Sequence, residues 1–409
     1  MAPLTGVRVL DLSTVVAGPF CTMLLADMGA EVIKVERPGQ GDLARELRPI
    51  IKDEQGTEVS GRFAGLNRGK KSICVDLKSN QGQDLIKELV KNCDVLVENL
   101  RPGQMRQWGL DYDNLKNEKS DLIYASISGF GSPVFGESPL MKKTAFDLVP
   151  LALSGFMDMN GEADGAPQRP GGIPLGDYLP GVFSALAIVA ALRQRDKTGQ
   201  GSFIDCSMYD SVLAILERPI QIYLGEGVIE TRNGGRVPQP YGVFRVKDGY
   251  ITIGALGTSM WQRLCKVIGR PEWIEDPRFK TQAERYKHYY ATIEPEIVSW
   301  CLVRTKEEVL QVMEEHGVPA AEIRNIAEAL KCPHISARKL LKEIPLSRGS
   351  TRKIKVLRTP FMMSCMADNT DPAPLLGEQT EDILRGILGY GDKEIESLFT
   401  ESVIDRPRG

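Results

Sequence analysis

Short apolar runs alternate with helical patterns through the first third of the chain. The runs cover residues 7–12, 31–36, 72–77, 94–100 and 122–128. Most of them are continuously apolar, as in strands that are buried on both faces of a sheet. Between two runs, residues 82–91 place Leu85, Ile86, Leu89 and Val90 on one helical face. The pattern predicts an α/β, Rossmann-like domain with a largely parallel sheet.

Farther along, the pattern extends this domain and then changes. Residues 180–195 are rich in Ala, Leu and Val, and cationic residues precede Gly199, which predicts the end of a helix packed inside the domain. From about residue 225, a hairpin turning at Asp248-Gly249 and later helical segments predict a smaller α+β domain. We expect the domains to cover residues 1–215 (large), 225–325 (small) and 330–409 (a return to the large one).

Composition narrows the class of protein. The chain has 409 residues, 42% of them hydrophobic and 26% charged, and a formal net charge of −3. It lacks the basic clusters typical of nucleic-acid binding. Its longest apolar run, residues 182–192, is shorter than the roughly 20 residues that cross a bilayer. The first residues do not resemble a secretion signal. We therefore expect a cytoplasmic protein with no nucleic-acid or membrane partner.

Two kinds of cofactor site are not predicted. The eight cysteines form no C-x-x-C pair and the three histidines have no metal-ligand spacing, so we expect no bound metal. The first predicted strand and helix are joined by residues 13–19, in which Gly18 is the only glycine. A dinucleotide fold needs the spacing G-x-G-x-x-G there.

Polar residues follow several predicted strands at their carboxyl ends. Arg37, Lys78, Asn99 and Arg101 occupy such positions. Each alone is typical of a solvated loop, but open α/β sheets bind ligands at this edge. Together, the guanidinium and ammonium groups would suit a ligand that carries phosphates.

An aspartate, Asp177, stands between the glycine pair 171–172 and the apolar helix that follows. One interpretation is structural: the carboxylate caps the helix by accepting its first amide hydrogens, with Pro180 in the first turn. The other is chemical: the carboxylate is a nucleophile, placed where glycines admit a substrate and spare amides stabilise an oxyanion. Spacing alone leaves both interpretations open.

Ordered sequence blocks across nearly the whole chain resemble the class III coenzyme A transferase family, the carnitine/bile-acid type. The blocks are residues 9–13, 17–19, 31–42, 67–73, 97–103, 128–131, 145–147, 176–177, 196–201 and 374–378. The resemblance implies a large Rossmann-like domain built from both chain ends, a small middle domain and an interlocked homodimer. It also implies that CoA and acyl-CoA are substrates and that no prosthetic group is bound.

The resemblance further implies roles for individual residues. Asp177 falls on the family's catalytic aspartate, which forms an aspartyl-CoA thioester while CoA passes from an acyl-CoA to a free carboxylic acid. The residues that would bind the coenzyme are Val16, Ala17, Arg37, Val75, Asp76, Leu77, Lys78, Asn99, Leu100 and Arg101, with Arg106 and Lys143 in looser correspondence.

Departures from the family pattern bear on the alternatives. One alternative is an acyl-CoA racemase of the same family. Racemases have a histidine where this chain has Phe146, and phenylalanine cannot move a proton, so CoA transfer is favoured over racemisation. A second alternative is a non-catalytic CoA- or nucleotide-binding protein in which Asp177 is only a cap. Members that use formyl and oxalyl groups have a glutamine at Val16 and a glycine-rich lid, whereas only Gly234-Gly235 occurs here. Gln379 replaces a common histidine, with no function assigned.

Overall fold

The chain divides into two compact units. A computed structural model describes residues 1–232, 237–366 and 369–406, so the Gly234-Gly235 pair lies outside the described residues. The first unit comprises Met1–Met157, Arg169–Ile229 and Arg338–Gly409, and the second comprises Asp158–Gln168 and Glu230–Ala337. The sequence pattern predicts the small domain at residues 225–325 and does not separate residues 158–168 from the large one.

The strands and helices of the described residues are numbered along the chain. The strands are β1 (Arg8–Asp11), β2 (Glu31–Glu36), β3 (Ile50–Lys52), β4 (Glu58–Ser60), β5 (Lys71–Cys74), β6 (Val95–Glu98), β7 (Ile123–Ser128), β8 (Ser202–Ser207), β9 (Tyr241–Val246), β10 (Gly249–Gly254), β11 (Ala320–Glu322), β12 (Leu341–Pro345) and β13 (Lys353–Leu357). The helices are α1 (Ala17–Asp27), α2 (Gly61–Asn67), α3 (Asn80–Lys91), α4 (Gln104–Gln107), α5 (Tyr112–Glu118), α6 (Leu148–Leu153), α7 (Phe156–Met159), α8 (Leu175–Thr198), α9 (Met208–Ala214), α10 (Glu217–Glu226), α11 (Gly257–Val267), α12 (Gln282–His288), α13 (Glu294–Leu302), α14 (Lys306–Glu315), α15 (Ile326–Leu330), α16 (Pro333–Ala337), α17 (Thr380–Leu388) and α18 (Asp392–Thr400).

A six-stranded parallel sheet forms the centre of the first unit. Its strand order is β5-β2-β1-β6-β7-β8, and every pairing in it is parallel. This confirms the predicted α/β class. The chain proceeds outward from β1 in one direction and from β6 in the other, so the order reverses between these two strands. Such a reversal opens a crevice at the carboxyl ends of the strands.

The five apolar runs correspond to β1, β2, β5, β6 and β7, each buried on both faces. On one face Leu10, Ile33 and Leu96 pack with α3, whose predicted apolar residues are all buried. On the other face Val9 and Val95 pack with α1 and α8. The sixth strand, β8, was missed because its sequence, Ser-Phe-Ile-Asp-Cys-Ser, mixes polar and apolar residues.

Helix α8 is longer than the pattern predicted. It begins at Leu175 rather than near residue 180, and Gly199 ends it in the left-handed conformation. One face packs on α1, β7 and β8, but Val182 and Leu186 on another are 46% and 66% exposed, so the prediction of wholly internal packing is wrong for this single chain. By length and composition alone α8 could cross a membrane, although 44% of its most apolar window is buried in the protein.

The second unit contains the hairpin that the sequence predicted. Strands β9 and β10 pair antiparallel and turn at Lys247-Asp248, and β11 adds to the other edge of β10. Helices α11, α13 and α14 supply the core, in which Trp261 lies 6.0 Å from both Trp273 and Phe279 between ring centroids.

The C-terminal segment returns to the first unit beside β5. The main-chain amide of Asp76 donates to the carbonyl of Val403 at 2.8 Å. The Gln379 side-chain oxygen accepts a hydrogen bond from the Ser72 main-chain amide at 2.8 Å, and the main-chain amide of Gln379 donates to the Ser72 carbonyl at 2.9 Å. Gln379 therefore joins the C-terminal helices to the sheet edge.

Candidate active site

A cavity of about 430 Å³ opens at the carboxyl ends of the central strands, next to the reversal of strand order. Six residues predicted to bind the coenzyme lie on its walls: Arg37, Val75, Asp76, Leu77, Lys78 and Leu100. These residues follow β2, β5 and β6, which are separate in sequence and adjacent or nearly adjacent in the sheet. The fold therefore brings half of the twelve predicted coenzyme-binding residues to one cavity.

The cavity has cationic groups available for a ligand. The side chains of Arg37 and Lys78 are exposed, and neither has a hydrogen-bond or ion-pair partner among the residues that the structure describes. Guanidinium and ammonium groups in this state can pair with phosphate oxygens without first breaking a protein contact.

Three carboxylates also line the cavity, those of Glu36, Asp42 and Asp76. Two of them form ion pairs with cations: Arg45 pairs with Glu36 at 2.6 Å and Lys34 pairs with Asp42 at 2.9 Å. Burial would raise the pKa of these two carboxyls, but the hydrogen bond from Arg45 to Glu36 and the charge of Lys34 beside Asp42 lower it overall. The charges of Glu36 and Asp42 therefore do not cancel the attraction of the cavity for an anion.

Sequence reasoning missed several lining residues. Gln104 and Trp108 line the cavity. They follow the 97–103 block directly and are four positions apart, a spacing that places two side chains on the same face of a helix, so the sequence did contain a signal for them. Ser402 also lines the cavity. It arrives from the far end of the chain through the pairing of residues 403 and 76, which no local pattern indicates.

Other predicted residues lie outside the lining of this cavity. Arg101 and Arg106 are exposed near α4, and Lys143 is exposed in the loop before α6. Their assignment to coenzyme binding stays a prediction. Asn99 is also absent from the lining, but it supports a neighbouring segment: its side chain accepts from the Thr14 amide at 2.8 Å and donates to the Thr14 carbonyl at 2.9 Å.

Val16 and Ala17 lie in the turn that leads from β1 into α1. Both side chains are buried, with 3% and 4% exposure. No side chain caps this end of α1, so its first amides are available to an incoming group. A Cβ on Gly181 of α8 would lie 2.7 Å from the Ala17 carbonyl oxygen, so glycine allows the two helices to touch here.

Asp177 is the third residue of α8 and does not cap it. The N-cap position is Pro174, which makes no side-chain cap hydrogen bond, and Pro180 lies inside the helix. The capping interpretation of Asp177 is therefore wrong. Since Gly181 lies against Ala17 one turn farther along, the Asp177 end of α8 lies beside the open end of α1.

Another carboxylate takes the capping role. Asp147 accepts a hydrogen bond from the Gly176 amide at 2.8 Å, although the two residues are 29 positions apart. A Cβ on Gly176 would lie 2.6 Å from the Asp147 carbonyl oxygen, which explains why glycine precedes Asp177. Asp147 belongs to one of the family blocks but was not among the predicted site residues.

The Asp177 carboxyl is therefore not engaged by the fold. It has no hydrogen-bond partner in the described part of the chain. Burial, and then the negative charge of Asp147, raise its pKa to about 7, while the positive charge of Arg62 opposes this. Burial also raises the pKa of Asp147, against the Gly176 hydrogen bond and the charge of Arg169. A partly buried carboxyl whose pKa lies near neutrality is typical of a reactive group.

The described residues contain no cluster of three or more His, Cys, Asp or Glu side chains that could hold a metal ion. What the site offers is a carboxylate, helix-terminal amides and a cationic cavity. This set suits acyl transfer onto a carboxylate.

Comparison with known proteins also indicates transfer chemistry. A family model described as CoA-transferase family III matches residues 4–380. The chain is 37% identical to a succinyl-CoA:mesaconate CoA-transferase of Haloarcula hispanica, over 97% of this chain and 100% of that protein. It is also 37% identical to the succinyl-CoA:glutarate CoA-transferase of Homo sapiens, over 99% of this chain and 90% of that protein.

A solved structure is similar across the same span. The crystal structure of a CAIB/BAIF family protein from Brucella suis superposes with a TM-score of 0.81 at 32% identity. The match covers 94% of this chain and 99% of that one. The likeness therefore includes both compact units.

Proposed function

Since the chain belongs to CoA-transferase family III and exchanges CoA between an acyl-CoA and a carboxylic acid, we propose that Asp177 carries the exchange as an aspartyl-CoA thioester. The observation that carries this proposal is the state of the Asp177 carboxyl. It lies on the first turn of α8 beside α1, without a hydrogen-bond partner among the described residues, while Asp147 serves the helix end in its place.

The reaction consists of two symmetrical halves. An oxygen of the Asp177 carboxylate attacks the thioester carbonyl, the carbon–sulfur bond breaks, and a mixed anhydride and CoA thiolate form. The thiolate then attacks the aspartyl carbonyl, releasing the first acid and leaving CoA on Asp177. The acceptor carboxylate attacks this thioester and the same steps run in reverse. An anhydride is about as activated as a thioester, so each step is reversible.

The chain's own groups support these steps. The uncapped amides at the start of α1 can donate to the oxyanion that develops on the reacting carbonyl. Arg37 and Lys78 lie where they can hold the phosphates of the coenzyme. Only the ionised form of Asp177 is nucleophilic, and with a pKa of about 7 roughly half of it is ionised at neutral pH.

We propose dicarboxylic acids as the acyl and acceptor class. The two relatives above are named for succinyl-CoA with mesaconate or glutarate. In this chain Arg62 is partly buried, and its charge acts on the Asp177 carboxyl. Its guanidinium has no hydrogen bond or ion pair within the described residues, so it can bind the second carboxylate of a substrate held at Asp177.

A homodimer is part of the proposal. Apolar side chains of α8 and α10 are open in the single chain, with Leu186 at 66% and Leu224 at 71% exposure. Large apolar side chains that are exposed on the surface of a single chain are typical of a subunit interface. Analytical ultracentrifugation should give twice the 45.2 kDa mass of the chain. A monomer that sediments with lipid vesicles would favour a membrane contact for α8 instead.

Trapping the intermediate tests the mechanism. The protein is incubated with succinyl-CoA and no acceptor, treated with hydroxylamine and digested. Mass spectrometry should find a hydroxamate on Asp177, and a panel of free acids should then show which acceptors collect CoA. Asp177→Asn should lose both the adduct and the exchange.

Asp147→Asn is the matched control, because it removes a nearby carboxylate and should still form the adduct on Asp177. Exchange at the native rate by Asp177→Asn would overturn the proposal. The racemase alternative predicts loss of the substrate α-proton to solvent without any adduct. Phe146, 69% exposed, offers no base for that reaction.

A further inference from the structure

The turn from β1 to α1, residues 12–17, contains a strained residue. Val15 has φ 68°, in the left-handed region. A β-branched side chain disfavours this conformation strongly, because its Cβ substituents crowd the backbone. Such a residue persists only where its surroundings hold it, and such residues cluster at functional sites. The residues that follow directly are Val16 and Ala17, at the open end of α1.

A single carboxylate holds the strained peptide. The Val15 amide donates to the two oxygens of Asp42 at 3.0 and 3.2 Å. The Ala44 amide donates to the same group at 2.9 Å, and Lys34 forms an ion pair with it at 2.9 Å. Asp42 is 1% exposed and Lys34 is fully buried. Because both groups are buried, water cannot replace these contacts, and breaking them would lower the stability of the turn.

The rest of the β1–α1 turn is tied in the same way. Lys34 also donates to the Ser13 carbonyl at 2.8 Å, and Asn99 binds both main-chain groups of Thr14. Each residue from 13 to 15 is therefore held by a side chain from another strand end. Asp42 differs from the other two because it holds the residue whose backbone is strained.

The position of Asp42 joins this turn to the coenzyme cavity. Asp42 and Thr14 both line the cavity. The main-chain amide of Asp42 donates to Glu36 at 3.0 Å, at the end of β2. A movement of Asp42 would therefore change both the wall of the cavity and the start of α1.

We propose that Asp42 is a positioning residue for CoA transfer, which holds Val15 in the left-handed conformation and so fixes Val16 and Ala17 beside the reacting thioester. The inference rests on the proposed role of Asp177, since it concerns the start of α1, which packs against α8 near the Asp177 end. The Asp42 carboxylate itself does not touch the reacting atoms.

A rescue experiment separates positioning from a merely structural role. Asp42→Ala removes both oxygens that accept the hydrogen bond from the Val15 amide, and kcat should fall about tenfold while KM for acyl-CoA changes less than about threefold. Val15→Gly added to Asp42→Ala should restore kcat to within about threefold of the wild type. Glycine adopts this φ without strain, so the turn no longer needs to be held.

Asp42→Ala alone leaves Lys34 buried without its ion-pair partner, which can prevent folding. The second background is therefore Lys34→Met with Asp42→Ala, which removes both charges of the pair. It should show the same fall in kcat and the same rescue by Val15→Gly. Asp53→Ala is the matched control, because Asp53 also accepts main-chain amides, from Gln55 at 2.9 Å and Thr57 at 2.8 Å, outside the site. It should keep the native kcat.

Two results would overturn the inference. One is native kcat in both Asp42 backgrounds. The other is a fall in kcat that Val15→Gly does not reverse in either background, which would mean that Asp42 acts on the fold alone. Failure of the wild-type protein to form the Asp177 adduct would refute the proposed function separately, whatever the Asp42 variants show.

Discussion

Replacing Asp147 with asparagine should shift the pH dependence of the first half-reaction. The asparagine amide oxygen can still accept the hydrogen bond that Gly176 donates at 2.8 Å, so the start of α8 should keep its geometry. The change removes one negative charge next to Asp177. Burial remains, so the pKa of Asp177 should fall from about 7 to about 6 rather than to its usual value.

The size of the effect follows from the ionised fraction of Asp177. At pH 6, a pKa of about 7 leaves about a tenth of the carboxyl ionised, and a pKa of about 6 leaves about half. The value of kcat/KM for succinyl-CoA at pH 6, relative to its plateau at high pH, should therefore rise about fivefold in Asp147→Asn. Because kcat/KM reports the free enzyme, the comparison is direct.

The assay is the release of free acid from succinyl-CoA between pH 5.5 and 9, in a single turnover without acceptor. Asp147→Ala serves as the companion variant: it removes both the charge and the hydrogen-bond acceptor. It should show the same acid limb as Asp147→Asn, with a lower plateau because the helix end loses its cap. An acid limb that stays near pH 7 in both variants would refute the electrostatic reasoning.

Three further outcomes follow from the same site. Because burial raises the pKa of Asp177 to about 7, the folded protein loses stability as pH rises from about 4 to about 7. The free energy of unfolding of Asp177→Asn, measured in urea, should therefore exceed that of the wild type by on the order of 2 kcal/mol at pH 8 and by little at pH 4. Arg62→Gln should raise KM about tenfold for glutarate but not for valerate, measured by CoA exchange, because only the dicarboxylate uses the guanidinium. Gly181→Ala should lower kcat severalfold in the same exchange assay, since its Cβ would meet the Ala17 carbonyl at 2.7 Å and separate α8 from α1.

The sequence predicted the sheet well because the signal there is local. Strands buried on both faces need continuous apolar runs, and five of the six central strands have them. Strand β8 lies at the sheet edge, and all of its residues except Ser207 are partly exposed. Polar residues such as Ser202 and Asp205 can therefore occur in it. Helix α8 was predicted too short because its first two turns contain Gly176 and Pro180, which interrupt the apolar pattern, although packing on α1 overrides their low helix propensity.

The cavity proposed to bind the coenzyme was partly predictable for a similar reason. Strand ends can be read from sequence, and parallel strands place those ends on one edge, so Arg37 and Lys78 were found. Gln104 and Trp108 carried a helical spacing that was available but not used. Ser402 needed the knowledge that the C-terminal segment pairs beside β5, which depends on contacts across more than 300 positions, such as that of Ser72 with Gln379.

The role of Asp177 could not be decided from its neighbours, because the deciding residue is elsewhere. An aspartate near a helix start is normally a cap, and the local sequence offers no other candidate. In the fold, Asp147 lies directly before α6, and its carboxylate accepts the hydrogen bond that the Gly176 amide donates, so the end of α8 is already capped. This leaves the Asp177 carboxyl without a structural task, and the charge of the same Asp147 helps to keep its pKa near neutrality. Asp147 thus leaves the proposed nucleophile, Asp177, without a capping role and raises its pKa, which is why the two residues must be tested as a pair.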